Sequence, residues 1–150
     1  MENDRIAKSD AQKNLAVTWV VATAVLILLF FIQTLVGNKY PGQSDEAWDW
    51  LIPQVFPTLT LMFGVMVARA QSAKRRDIVV RRSYYRLTLA VVIFYFIILF
   101  GVVFTAPLDF TFNETPALEH LKRSTKIVSV VQGCATITLS IFFVSEAPAR

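Results

Sequence analysis

Four long apolar runs make up most of this sequence, and none of them contains an Asp, Glu, Lys, Arg or His. Pumps and ion-coupled transporters place such groups at the bilayer midplane, so their absence argues against both activities. The single histidine, His120, lies beside Glu119 outside the runs. A zinc site needs three or four ligands, so this pair reads as part of a solvated helix. The single cysteine, Cys134, forms no intramolecular disulfide and leaves the redox compartment unreadable. Its run holds no histidine or charge to lower the thiol pKa, so it reads as a packed small hydrophobe. No phosphate loop, HExxH or GxSxG motif occurs. The expectation is a non-enzymatic chain with no cofactor, metal or catalytic residue.

What remains is a chain whose solvent is lipid. Its 150 residues are one domain in size and 55% hydrophobic, with a mean hydropathy of +0.51. The predicted fold is all-α: a bundle of four transmembrane helices, two helical hairpins joined by short loops. The spans fall at about 15–36, 51–68, 87–106 and 127–144. The first, of 22 residues, covers about 33 Å at ~1.5 Å per residue, enough for the hydrocarbon core. It is too long for a signal-peptide core and no small-residue cleavage site follows, so it reads as a retained helix.

The segments around the spans give finer expectations. Ser9 and Gln12 have capping-box spacing, which starts a helix at Asp10. Gly37 and Pro41 end the first span. Ser44 caps a short helix with Asp45 and Glu46 in its first turn, and Trp48 and Trp50 mark a membrane interface. Pro57 leaves the carbonyl of Pro53 without its usual donor, so a bend is expected there. A turn is expected somewhere in 71–80, with Tyr84 and Tyr85 at the interface on the way back. Pro107 closes the third span, and residues 108–113 alternate apolar and polar, as an extended surface segment does. Thr115 and Pro116 start a helix that continues into the fourth span. Asn113-Glu114-Thr115 fits the glycosylation pattern. The two halves echo each other in outline without aligning residue by residue.

Charge supplies the orientation. Fifteen Lys and Arg against eleven Asp and Glu give a formal net charge of +4. With the N-terminus inside, one side holds Arg5, Lys8, Lys13, Arg69, Lys74, Arg75, Arg76, Arg81, Arg82, Arg86 and Arg150. The other holds only Lys39, Lys122, Arg123 and Lys126. The bias places both termini in the cytoplasm, with a bacterial inner membrane as the expected location. Topology thus accounts for the basic residues, and nucleic acid is disfavoured as a partner. Lys74, Arg75, Arg76, Arg81, Arg82 and Arg86 suit anionic lipid headgroups or a cytosolic protein partner.

Two faces stand out. In the second span Pro53, Pro57, Thr60, Gly64 and Ala68 fall within roughly 80° of arc, a smooth ridge suited to helix packing. In the fourth, Ser129, Gln132, Gly133, Thr136 and Ser140 share an arc of roughly 100°. Those residues suit either a packing seam, with the Gln132 amide bonded across it, or the wall of a water-lined path. A single four-helix bundle fills its own interior, so the second reading requires a homo-oligomer.

With two hairpins, a basic cytoplasmic connection and almost no soluble domain, the architecture resembles the small four-span membrane proteins of bacterial anti-phage and prophage-exclusion systems. That resemblance implies a membrane effector or sensor working with a cytosolic partner. Two functions follow as expectations: a self-associating pore or permeabilising effector, or a sensor that recruits its partner through the basic loop.

Overall fold

The computed structural model describes residues 5–36, 39–71, 79–113 and 116–143, with backbone alone at 69–71 and 109–113. A short strand β1 (Arg5–Ala7) passes straight into α1 (Lys8–Phe31), whose end widens into a π-helical segment, Ile32–Val36. Then come α2 (Ser44–Gln71), a second strand β2 (Val79–Arg81), α3 (Arg82–Asn113) and α4 (Ala117–Phe143). All four helices are long and apolar enough to cross a membrane. In hydrocarbon no water is available for a free N–H or C=O, so a spanning segment keeps its helix wherever neighbours can repair the damage. Accordingly α2 runs through Pro53 and Pro57, and α3 through Pro107.

The helices form an all-α bundle in which α3 and α4 make the most extensive pair, α2 packs on α4, and α1 bridges α2 and α3. Its centre is aromatic. Trp19 is fully buried and stacks on Tyr95 at 5.5 Å, with Phe96 edge-on at 4.9 Å. Leu15 and Leu26, Leu51 and Val55, Val92 and Leu99, and Val128 and Leu139 fill the layers around it. The exterior is equally apolar: Val21, Leu28, Ile97, Phe104, Val130 and Ile137 all point outward. Only about a third of the most apolar window of each helix is covered by protein (33, 28, 33 and 28%), which leaves the rest to lipid.

Several local expectations are corrected. α1 starts at Lys8 with Ala7 as its cap residue, because residues 5–7 are held in the extended ladder β1–β2. The Ser9–Gln12 box does not form; the Gln12 amide is donated instead to the carbonyl of Phe142 in the last turn of α4. The short helix at Ser44 is the first turn of α2 itself, and the Ser44 hydroxyl donates back to the Tyr40 carbonyl at 3.3 Å. Trp50 faces the bundle, 8% exposed, and donates its indole N–H to Thr125 at 3.0 Å. Pro107 does not close α3, and 108–113 continue as helix. Cys134 lies on the outside. Gly37, Lys74, Arg75, Arg76, Glu114, Thr115 and the tail from Val144 lie outside the described residues, as do the side chains of Arg69 and Asn113.

Candidate functional site at the interior prolines of α2

In an α-helix each N–H donates to the carbonyl four residues back. Pro57 has no N–H, so the carbonyl of Pro53 loses its helical donor. The structure fills that vacancy from another helix. Gln132 of α4 donates its side-chain amide to the Pro53 carbonyl at 3.1 Å and to the Gln54 carbonyl at 3.0 Å. A primary amide carries two hydrogens, so one side chain can serve both acceptors. Tyr95 of α3 donates its hydroxyl to the same Gln54 carbonyl at 2.6 Å. Trp19 of α1 reaches the next carbonyl, that of Val55, at 3.4 Å. Side chains from α1, α3 and α4 thus converge on the successive carbonyls of Pro53, Gln54 and Val55.

The arrangement recurs in α3. Pro107 deprives the carbonyl of Val103 of its donor, and Gln33 supplies its amide there at 3.2 Å. Gln33 sits in the π-helical end of α1. That wider turn is stabilised by Thr34, whose hydroxyl donates to the carbonyls of Phe30 and Phe31 at 3.0 and 3.2 Å. The amides of Gln12, Gln33 and Gln132 therefore each tie one helix to the backbone of another. Two side-chain oxygens in these regions, Oε1 of Gln33 and Oε1 of Gln54, are buried without a partner among the described residues.

Of the residues singled out on α4, Gln132 is half-buried and engaged with α2, Ser129 and Gly133 are exposed, and Thr136 and Ser140 are half-buried. The Ser140 hydroxyl returns to its own helix, donating to the Ile137 carbonyl at 2.7 Å. On α2 the whole ridge of Pro53, Pro57, Thr60, Gly64 and Ala68 faces outward. Structure therefore joins Gln132 to the backbone of that ridge and leaves its side chains on the surface.

At the end of the bundle where α2 and α4 begin, polar groups pair both across helices and within α4. Lys122 meets Glu46 at 2.7 Å, Arg123 meets Glu119 at 2.6 Å one turn away, and His120 sits 3.1 Å from the Thr105 hydroxyl. Tyr40 packs on Phe30 there at 5.5 Å, and burial pushes its phenol above the usual range, so it stays neutral. At the opposite end lie β1 and β2, paired antiparallel, with Arg81, Arg82 and Arg86 at the base of α3. The pairing of residues 5–7 with 79–81 brings Arg5 into this basic group.

Fold and centre together define a small integral membrane protein whose four helices are tied across the middle by bonds from side chains to carbonyls. No family model, no curated protein and no solved structure matches the chain.

Proposed function

We propose that this chain is a non-enzymatic membrane protein that assembles with copies of itself through an outward face built by α2 and α4. The character of that face supports the reading. Most of the lipid-side surface is Val, Ile, Leu and Phe. Here, instead, Pro53, Pro57, Thr60, Gly64 and Ala68 are exposed beside Ser129 and Gly133. A Cβ added at Gly64 or at Gly133 would meet nothing within 4 Å, so packing inside the protomer does not call for glycine at either position. Close approach of a second backbone would, because association in lipid depends on small residues that let helices come near. Gln132 holds α2 and α4 in register beneath this face.

Trp19, Tyr95 and Phe96 fill the centre of the protomer, so a permeation path would run between protomers, with Ser129 as a polar group along it. In this reading the ladder end faces the cytoplasm of a bacterial cell, as the basic bias favours. Native mass spectrometry from nanodiscs tests the assembly. The wild type should appear as a closed oligomer, and Gly64→Leu or Gly133→Leu should shift it at least tenfold toward monomer with helical content unchanged. A wild-type monomer, or oligomers indifferent to both leucines, would rule out this face. Conductance recordings on the oligomer would then separate a permeabilising effector from a purely structural assembly.

A second reading, recruitment of a cytosolic protein through the basic end, gains support from the addition of Arg5 to Arg81, Arg82 and Arg86. A stable monomer that captures an acidic partner would favour it.

A further inference from the structure

The ladder β1–β2 sets Arg5 directly opposite Arg81. Both side chains are exposed, and neither has an ion-pair partner among the described residues. Like charges opposite one another on paired strands repel, and a ladder of three residue pairs has little stability of its own to oppose that repulsion. An anion shared between the two guanidiniums would convert the repulsion into attraction.

Position indicates which anion. β1 runs directly into α1, and β2 directly into α3. Arg5 is three residues from the start of one spanning helix and Arg81 is one residue from the start of another. Both arginines lie on the headgroup side of the apolar runs, which begin at Leu15 and Leu87, where phospholipid phosphates are the anions at hand. The local potential is positive from the backbone as well, since the N-terminal ends of two long helices emerge together. The cap residue of α1, Ala7, offers no side-chain acceptor; α1 carries one acid, Asp10, in its first turn, and the first turn of α3 holds none. Guanidinium is planar and binds phosphate oxygens two at a time, so two of them facing each other can enclose one phosphodiester.

We propose that Arg5 and Arg81 form a clamp for the phosphate of an anionic lipid headgroup at the ladder end of the bundle, and that lipid binding thereby fastens the N-terminal strand to the base of α3. The clamp is separate from the self-association face of α2 and α4 and does not depend on it.

The experiment uses the full chain in nanodiscs of phosphatidylcholine containing phosphatidylglycerol, with lipid adducts read by native mass spectrometry. Wild type should retain phosphatidylglycerol preferentially. Arg5→Gln and Arg81→Gln should each lower retention about tenfold, and the double variant no further than either single change by much, because one phosphate needs both groups. Arg5→Lys with Arg81→Lys should fall between, keeping the charge and losing the paired hydrogen bonds. Arg123→Gln, at the opposite end, should leave retention unchanged. The glutamines relieve a repulsion, so folding should hold, and circular dichroism checks it. Retention equal to wild type in the folded double variant would overturn the clamp. So would millimolar inorganic phosphate displacing the lipid completely, since the site would then be one for a soluble anion.

Discussion

Trp19→Ala is expected to destabilise the bundle by about 3–5 kcal/mol, the usual range for removing a large aromatic from a packed core. Trp19 is 0% exposed, and the Tyr95 ring lies parallel to it at an interplanar angle of 11° while Phe96 meets it edge-on. Helices in lipid gain nothing from leaving one apolar medium for another, so their association rests on contact. A void at the centre forfeits that contact outright. The polar loss is the smaller part. At 3.4 Å the indole bond to Val55 is long, and the Val55 carbonyl retains the N–H of Leu59 as a helical donor. Trp19→Phe keeps a six-membered ring against Tyr95 while losing the N–H and the five-membered half of the indole, and should cost less, about 1–2 kcal/mol. Unfolding in mixed micelles, followed by circular dichroism, would measure both. A Trp19→Ala midpoint equal to wild type would mean that the aromatic stack does not hold the centre together.

The fold was legible because its cause is coarse. Runs of apolar residues long enough to cross hydrocarbon leave the backbone one economical conformation, and charge counts sort the ends. What the sequence concealed were places where a distant partner overrode a local signal. Pro107 followed by alternating residues looks like a helix stop, yet α3 continues because Gln33, seventy positions away, supplies the missing donor. Ser9 and Gln12 have the spacing of a capping box, yet Gln12 is taken by the far end of α4. The strand at residues 5–7 has no periodicity to announce it and exists only as half of a pair.

The centre of the bundle was half legible. An orphaned carbonyl at Pro53 and an amide at Gln132 in need of partners are both readable from composition and position. Joining them required knowing that α2 and α4 are neighbours and that their residues 53 and 132 lie at one depth. The ridge on α2 shows the converse limit. Arc geometry groups its residues on one side of the helix, but cannot say whether that side meets the same chain, another copy or lipid.

The pairing of amide with proline makes a prediction that simple packing does not. Gln132→Leu removes the donor that compensates for Pro57, and strands the Pro53 carbonyl in a medium that cannot hydrate it. The expected cost is about 2 kcal/mol, within the penalty for an unsatisfied buried acceptor. Pro57→Ala restores a backbone N–H at residue 57 and hands that donor back to the Pro53 carbonyl. In the Pro57→Ala background, Gln132→Leu should therefore cost only about 1 kcal/mol, the remainder being its bond to the Gln54 carbonyl. The cycle thus carries a coupling of about 1 kcal/mol, with the double variant more stable than the sum of the single changes predicts. Were Gln132 only filling space between α2 and α4, the two changes would add to within about 0.5 kcal/mol, and the donor role would be excluded. Gln33→Leu with Pro107→Ala should give a coupling of the same sign, because the Val103 carbonyl stands to Pro107 as that of Pro53 does to Pro57. Gln132 works inside the protomer while the small-residue face looks outward, so Gln132→Leu should lower the stability of each protomer yet leave the oligomer of its folded fraction intact. Gly64→Leu should do the opposite. That double dissociation, read by unfolding in micelles and by native mass spectrometry, distinguishes a bundle held by its proline carbonyls from one whose polar residues serve only the contact between copies.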